Sequence, residues 1–176
     1  TLSAMYLWHN YGKSTIGARS DIENVDIGRL QAFYRTYYQP DNAVLVVAGK
    51  FDTNATLAKI DRLFGAIAKP KTPLPAFYTV EPTQDGERSV TVRRSGDIQI
   101  VNLTYHIPGT AHPDTAALQV LVNLLSHKPS GRLHKALVET KLAAGAYAGY
   151  FGLRDGSTST FSLHAPKDAD IAKAEA

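Results

Sequence analysis

Pro40 ends one helix-forming stretch of this chain just before a continuous apolar run, Ala43 to Gly49 (AVLVVAG), and that succession constrains the fold more than any other feature. Upstream, Ile27, Leu30, Tyr34 and Tyr37 recur at helical spacing behind Asp26, a residue suited to an N-cap. Gly28 weakens the first turn, and the residue before Pro40 is pushed out of the helical region, so the helix is predicted over Asp26 to Gln39. The run that follows is rich in β-branched residues, which predicts a central strand covered on both faces. Asp52 or Thr53 then caps a second helix, with Leu57, Ile60 and Phe64 facing inward and Gly65 near its end. Between Lys69 and Pro82 stand prolines 70, 73, 75 and 82, so neither a helix nor a central strand persists there and a linker is predicted.

Past the linker the period changes to two. Val90 and Val92 alternate with polar neighbours, and after the turn Ser95-Gly96-Asp97 the apolar positions are Val101, Leu103, Tyr105 and Ile107. An antiparallel hairpin with one polar face follows from this pattern. Pro113-Asp114 opens a helix carrying Ala117, Leu118, Leu121, Leu124 and Leu125, and Pro129-Ser130 opens another with Leu133, Ala136 and Leu137. Two strands are predicted near Gly145 to Leu153 and Thr158 to Ala165, joined by the turn Arg154 to Ser157, with Phe161, Leu163 and Ala165 on one side. From Lys167 a last helix begins and runs to the end of the sequence without a breaker. Strands in runs with helices between them give the class α+β, with a largely antiparallel sheet flanked by helices.

Composition removes several kinds of chemistry. With 176 residues and 44% hydrophobic content the chain is globular rather than disordered. The net charge of +3 is spread out, with no basic run longer than Arg93-Arg94, which gives little support for nucleic acid as a partner. The absence of cysteine excludes disulfides, thiolate metal sites and a cysteine nucleophile. No apolar run approaches the roughly 20 residues of a membrane span. A start at Thr1 and a helix reaching the last residue lead to the expectation of an internal piece of a longer protein.

None of the six histidines, His9, His106, His112, His127, His134 and His164, heads an H-E-x-x-H or H-x-x-E-H pattern. Each is read first as an ordinary exposed or hydrogen-bonded side chain, including His106 and His164 on strands and His127 and His134 around a helix start. There is no phosphate-binding loop, dinucleotide fingerprint or nucleophile elbow. Tyr34, Tyr37 and Tyr38 suggest a binding patch, but helical spacing places Tyr34 and Tyr37 on the core face. Arg132 is a weak candidate for ligand anchoring.

The ordered motifs carry a resemblance. His9-Asn10-Tyr11-Gly12, Phe33-Tyr34, Tyr37-Tyr38, Pro40-Asp41-Asn42, Gly49 with Asp52, and Phe64-Gly65 match a tract characteristic of the insulinase/pitrilysin family of zinc metallopeptidases. Asp114 to Leu118, Leu124-Leu125 and Ser130 to Leu133 with Ala136 to Glu139 extend the resemblance through the second half.

The resemblance implies metallohydrolase half-domains of the insulinase/processing-peptidase type. Residues 1–68 would be the C-terminal part of a first half-domain, 69–86 a Pro-rich linker acting as hinge or tether, and 87–176 the N-terminal part of a second. It also implies a parent zinc endopeptidase that hydrolyses peptides or unstructured polypeptides, with zinc in the parent and none in this chain. No catalytic, cofactor-binding or metal-ligating residue is assigned here, because H-x-x-E-H is absent and the chain alone is expected to be inactive. Where family halves lacking zinc carry an arginine and a tyrosine seven residues apart, this chain has Val138 and Gly145. That places the residues within the zinc-bearing half, partnered by a second half in the same chain or a separate subunit. A non-catalytic member with a structural or peptide-binding role, as in processing-peptidase-like core subunits, is the alternative. A bacterial periplasm or cell-envelope location and self-association of the chain complete the expectations. A buried central strand at 43–49 further implies that Val46→Asp collapses the fold, readable as a lost melting transition.

Overall fold

In a computed structural model, described for residues 1–175, the chain divides into two compact units: residues 8–81, and residues 1–7 together with Pro82 onward.

The unit of residues 8–81 is helical. A short 3-10 turn, Asn10–Gly12, precedes α2 (Arg19–Asn24), α3 (Ile27–Tyr37), a second 3-10 turn at Pro40–Asn42 and α4 (Thr53–Phe64); α1 (Leu2–Met5) belongs to the other unit. The two longer helices begin as their sequences dictate. Asp26 Oδ1 accepts from Arg29 N at 3.1 Å, and Asp52 Oδ1 accepts from Ala55 N at 2.7 Å. Helix α3 stops at Tyr37, three residues before Pro40, and Asn42 Nδ2 donates to Tyr37 O at 2.8 Å across the stop. The Glu81 carboxylate accepts from Trp8 N and His9 N at 2.9 and 2.8 Å, joining the two ends of this unit.

The predicted central strand does not form. Residues 43–49 pair with no strand among the described residues, and Val44 and Val46 are 90% and 79% exposed. A strand exists only where a neighbour supplies backbone partners, and the described part of this unit contains no other strand. The inward faces predicted for α3 and α4 are likewise open, with Leu30, Tyr34, Leu57 and Phe64 exposed.

The second unit contains α1 (Leu2–Met5), β1 (Ile98–Ile107), α5 (Thr115–Ser126), a wide helical turn at His134–Glu139, β2 (Gly145–Phe151), β3 (Ser157–Pro166) and α6 (Ile171–Glu175). The three strands form an antiparallel sheet in the order β1-β3-β2. Strand β3 pairs along its whole length with β1, from Ile98 opposite Pro166 to Ile107 opposite Ser157, and with β2 from Gly145 opposite His164 to Phe151 opposite Thr158. The predicted hairpin between Val90–Val92 and β1 does not form, and Val90 and Val92 are exposed. Strand β1 turns instead to β3, whose two neighbours make it the most enclosed element: Ser157, Leu163 and Ala165 are buried.

Register sorts the side chains. Val101, Leu137, Ala169 and Ala174 pack against the buried core of Ala143, Leu163 and Ala165 on one sheet face. The other face is polar at its centre, where Thr104 and Thr160 hydroxyls meet at 3.1 Å, and Tyr6 sets its ring edge-on to His106 with centroids 4.8 Å apart. The Arg88 guanidinium donates to Ala4 O and Met5 O at 3.1 and 3.0 Å, tying down the segment that buries Met5 and Tyr6. In the β2–β3 connection Ser157 Oγ accepts from Leu153 N at 2.9 Å, while Gly156 takes φ +152, a conformation side chains rarely adopt. The last helix starts at Ile171 rather than Lys167. Gln99 Nε2 lies 2.9–3.1 Å from the carbonyls of Pro166, Lys167 and Ala169 and holds that stretch as a turn.

The stripe of α5 that the sheet covers also differs from expectation. Leu118, Val122 and Leu125 are half-buried, whereas Leu121 and Leu124 stay exposed. Accessible surface totals 14136 Å², against roughly 8,400 Å² for one folded monomer of this mass or about 10,000 Å² for two separate bodies of the same total. Large apolar side chains contribute to this exposure, with Ile16 82%, Val44 90% and Tyr78 90% accessible.

Stability should follow the observed burial. Leu163→Ala should cost about 2–5 kcal/mol in urea unfolding, because it opens a cavity in the core. Val46→Asp should stay within about 0.5 kcal/mol of the parent chain, reversing the outcome expected from a buried strand.

Candidate functional site

The histidines do not converge. His9 Nδ1 accepts from Tyr11 N at 3.2 Å and its ring lies 4.1 Å from that of Tyr11, which uses it as a local cap. His112 Nδ1 lies 3.6 Å from Asp114 Oδ2 beside the start of α5. His127 Nδ1 lies 3.1 Å from Ser130 Oγ, a pair with no third member to orient it among the described residues. His106 packs on Tyr6, and His164 lies 5.1 Å from the Tyr147 ring. His134 Nδ1 is buried without a hydrogen-bond partner. Among the described residues no three His, Cys, Asp or Glu side chains are grouped so as to hold a metal ion, and the residues present do not fit a zinc centre.

The aromatic candidates behave as helix-surface pairs. Tyr34 stacks on Tyr38 at 4.7 Å and Phe33 tilts against Tyr37 at 4.6 Å, each pair one turn apart. Tyr37 is half-buried, but Tyr34 is exposed, so the predicted core placement holds for only one of them. Arg132 is exposed just before the wide helical turn.

One polar cluster does assemble on the sheet. Lys128 Nζ sits 4.7 Å from the centroid of the Tyr147 ring, whose other neighbour is His164 on β3. Gly145 begins the same strand on the same face, and a Cβ added there would stand 2.8 Å from Tyr147 Oη. The position that the motif comparison found empty of a tyrosine is therefore overlain by the tyrosine two residues on. The offset of two keeps the face, a relation legible in the sequence once the strand is known.

With these geometries in place, comparison with other proteins is decisive about ancestry. The sequence profile described as the peptidase M16 inactive domain matches residues 24–176. The chain belongs to the M16 peptidase family. The insulinase/pitrilysin motifs and the α+β architecture agree with that membership. Zinc protease PqqE of Helicobacter pylori is 32% identical over 159 residues, covering 89% of this chain and 36% of that protein. An uncharacterized zinc protease of Mycobacterium tuberculosis is 26% identical over 179 residues, covering 99% of this chain and 41% of the relative. A crystal structure of a protease from Helicobacter pylori superposes with a TM-score of 0.90 at 28% identity, over 99% of this chain and 43% of that one. The M16 chain thus spans about two fifths of the length of such relatives.

The overlap at Gly145 is measurable. Gly145→Tyr should destabilise the M16 chain by about 1 kcal/mol or more, and removing the obstructing ring with Tyr147→Ala should recover part of that loss in a double-mutant cycle read by thermal unfolding.

Proposed function

We propose that this chain is a non-catalytic segment of a zinc-dependent endopeptidase that hydrolyses peptides or unstructured polypeptides. The observation that carries the proposal is the match of the inactive-domain profile over residues 24–176, joined to relatives named zinc proteases. On this reading zinc belongs to the parent protein, held by residues outside the described set, and this chain supplies surfaces that support and enclose the substrate.

Two further assignments belong to the same proposal. Residues 1–68 and 87–176 are portions of consecutive half-domains, with 69–86 as the tether between them. The exposed apolar positions Val44, Val46, Val90 and Val92 are then surfaces for strands of the remaining protein, and a second half in the same polypeptide or a partner subunit completes the substrate chamber. The chain by itself, with those surfaces open, self-associates. No described helix is long and apolar enough to cross a membrane, and a bacterial periplasmic or cell-envelope location is proposed from the family resemblance alone.

The alternative, a non-catalytic family member with a structural or peptide-binding role, is favoured by one feature. The matching profile is itself that of an inactive domain. The two readings separate on the parent protein. Metal analysis by plasma mass spectrometry and cleavage of a quenched fluorogenic peptide, run on the chain and its parent together, should give zinc and activity in the parent alone. Zinc in neither would leave the non-catalytic role, and stoichiometric zinc in this chain would overturn the assignment of the metal to other residues.

A further inference from the structure

Within the unit of residues 8–81, α3 and the proline-rich segment border an open pocket of about 360 Å³, lined among others by Arg35, Thr36, Gln39, Pro70, Thr72 and Pro73. Gln39 is 8% exposed, and its Oε1 is buried with no hydrogen-bond partner. Its Nε2 donates to Arg35 O at 3.0 Å. Turning the amide over would set Oε1 against that carbonyl, two acceptors face to face, so the unpartnered atom is the oxygen.

Much of the lining offers this acceptor no donor. Pro70 and Pro73 have no N–H to give. Thr36 spends its hydroxyl proton on Ala32 O at 2.8 Å. Among the described residues Arg35 has no carboxylate within ion-pair distance and its side chain is exposed. Residues 70–73 form no backbone hydrogen bond in the described structure, and the ion pair beside them, Lys69 Nζ to Asp41 Oδ2 at 3.9 Å, is at the surface.

A buried acceptor and an unpaired cation one helical turn apart call for a ligand with a donor and an anion on neighbouring atoms. The last residue of a peptide has both, in its backbone N–H and its carboxylate. We propose that this cavity binds the C-terminal residue of an extended peptide, with its N–H donated to Gln39 Oε1 and its carboxylate held by Arg35. The inference deepens the peptidase reading and rests on it, since each hydrolysis of a peptide bond creates one new C-terminal carboxylate.

The test uses fluorescence polarisation of a fluorescein-labelled synthetic octapeptide, prepared as the free acid and as the C-terminal amide, on this chain. The free acid should bind at least about tenfold more tightly than the amide, in line with a charge-assisted contact. Arg35→Met should bring the two peptides to equal affinity. Gln39→Leu should weaken the free acid by about tenfold while leaving Tm unchanged or raised, since it removes an unsatisfied group. Acid and amide binding equally, or wild-type affinity in both variants, would overturn the proposal and leave the cavity to water. If Gln39→Leu fails to fold, the exposed Arg35→Met variant decides alone. Failure here does not touch the zinc and cleavage measurements on the parent, which judge the peptidase reading separately.

Discussion

An extended segment needs partners for its backbone, and in this protein that requirement is met fully at one place. Strand β3 has a neighbour on each side for most of its length, so its N–H and C=O groups are used in both directions and its side chains are enclosed. Much of the sheet unit depends on it. Strands β1 and β2 are held to one another only through β3, the core of Ala143, Leu163 and Ala165 gathers on it, and Gln99 reaches over its end to fasten the turn before α6. Both outer edges of this sheet, on β1 and β2, carry unpaired backbone groups, and Lys, Pro or a bulge does not blunt the run Ile98–Ile107.

Local signals are legible in the sequence because they act through neighbours. Asp26 and Asp52 cap helices through N–H groups three residues on, Pro40 constrains the residue beside it, and the alternation Phe161, Leu163, Ala165 stays within one strand. Signals requiring a distant partner were read less well. AVLVVAG carries every mark of a buried strand, but burial is a relation between segments, and the described residues hold none that pairs with 43–49. The pairing of β1 with β3 instead of Val90–Val92 was illegible for the same reason: period two tells which face a residue takes and not which strand lies alongside.

The same distinction separates the legible and illegible parts of the site. The absence of a zinc motif is a statement about spacing and can be made from sequence alone. The cluster of Lys128, Tyr147 and His164 joins residues 17 and 19 apart through strand pairing and a loop, and no linear pattern announces it. Gln39 was still less visible, since a glutamine after a helix reads as a solvated end. Its burial follows from the path of a proline-rich segment more than thirty residues away.

Proline has a second consequence beyond ending elements. A segment dense in prolines can pack over polar groups while offering them fewer donors, so it covers without satisfying. Ordinary backbone laid over Gln39 would have donated to Oε1 and closed the site for good. A cover that donates nothing leaves such an acceptor unpaired, and a state in which an N–H is brought in is then the more favourable one. Any extended chain that supplies such a donor competes with the cover on good terms. Proline density in a covering segment thus has a thermodynamic consequence as well as a conformational one.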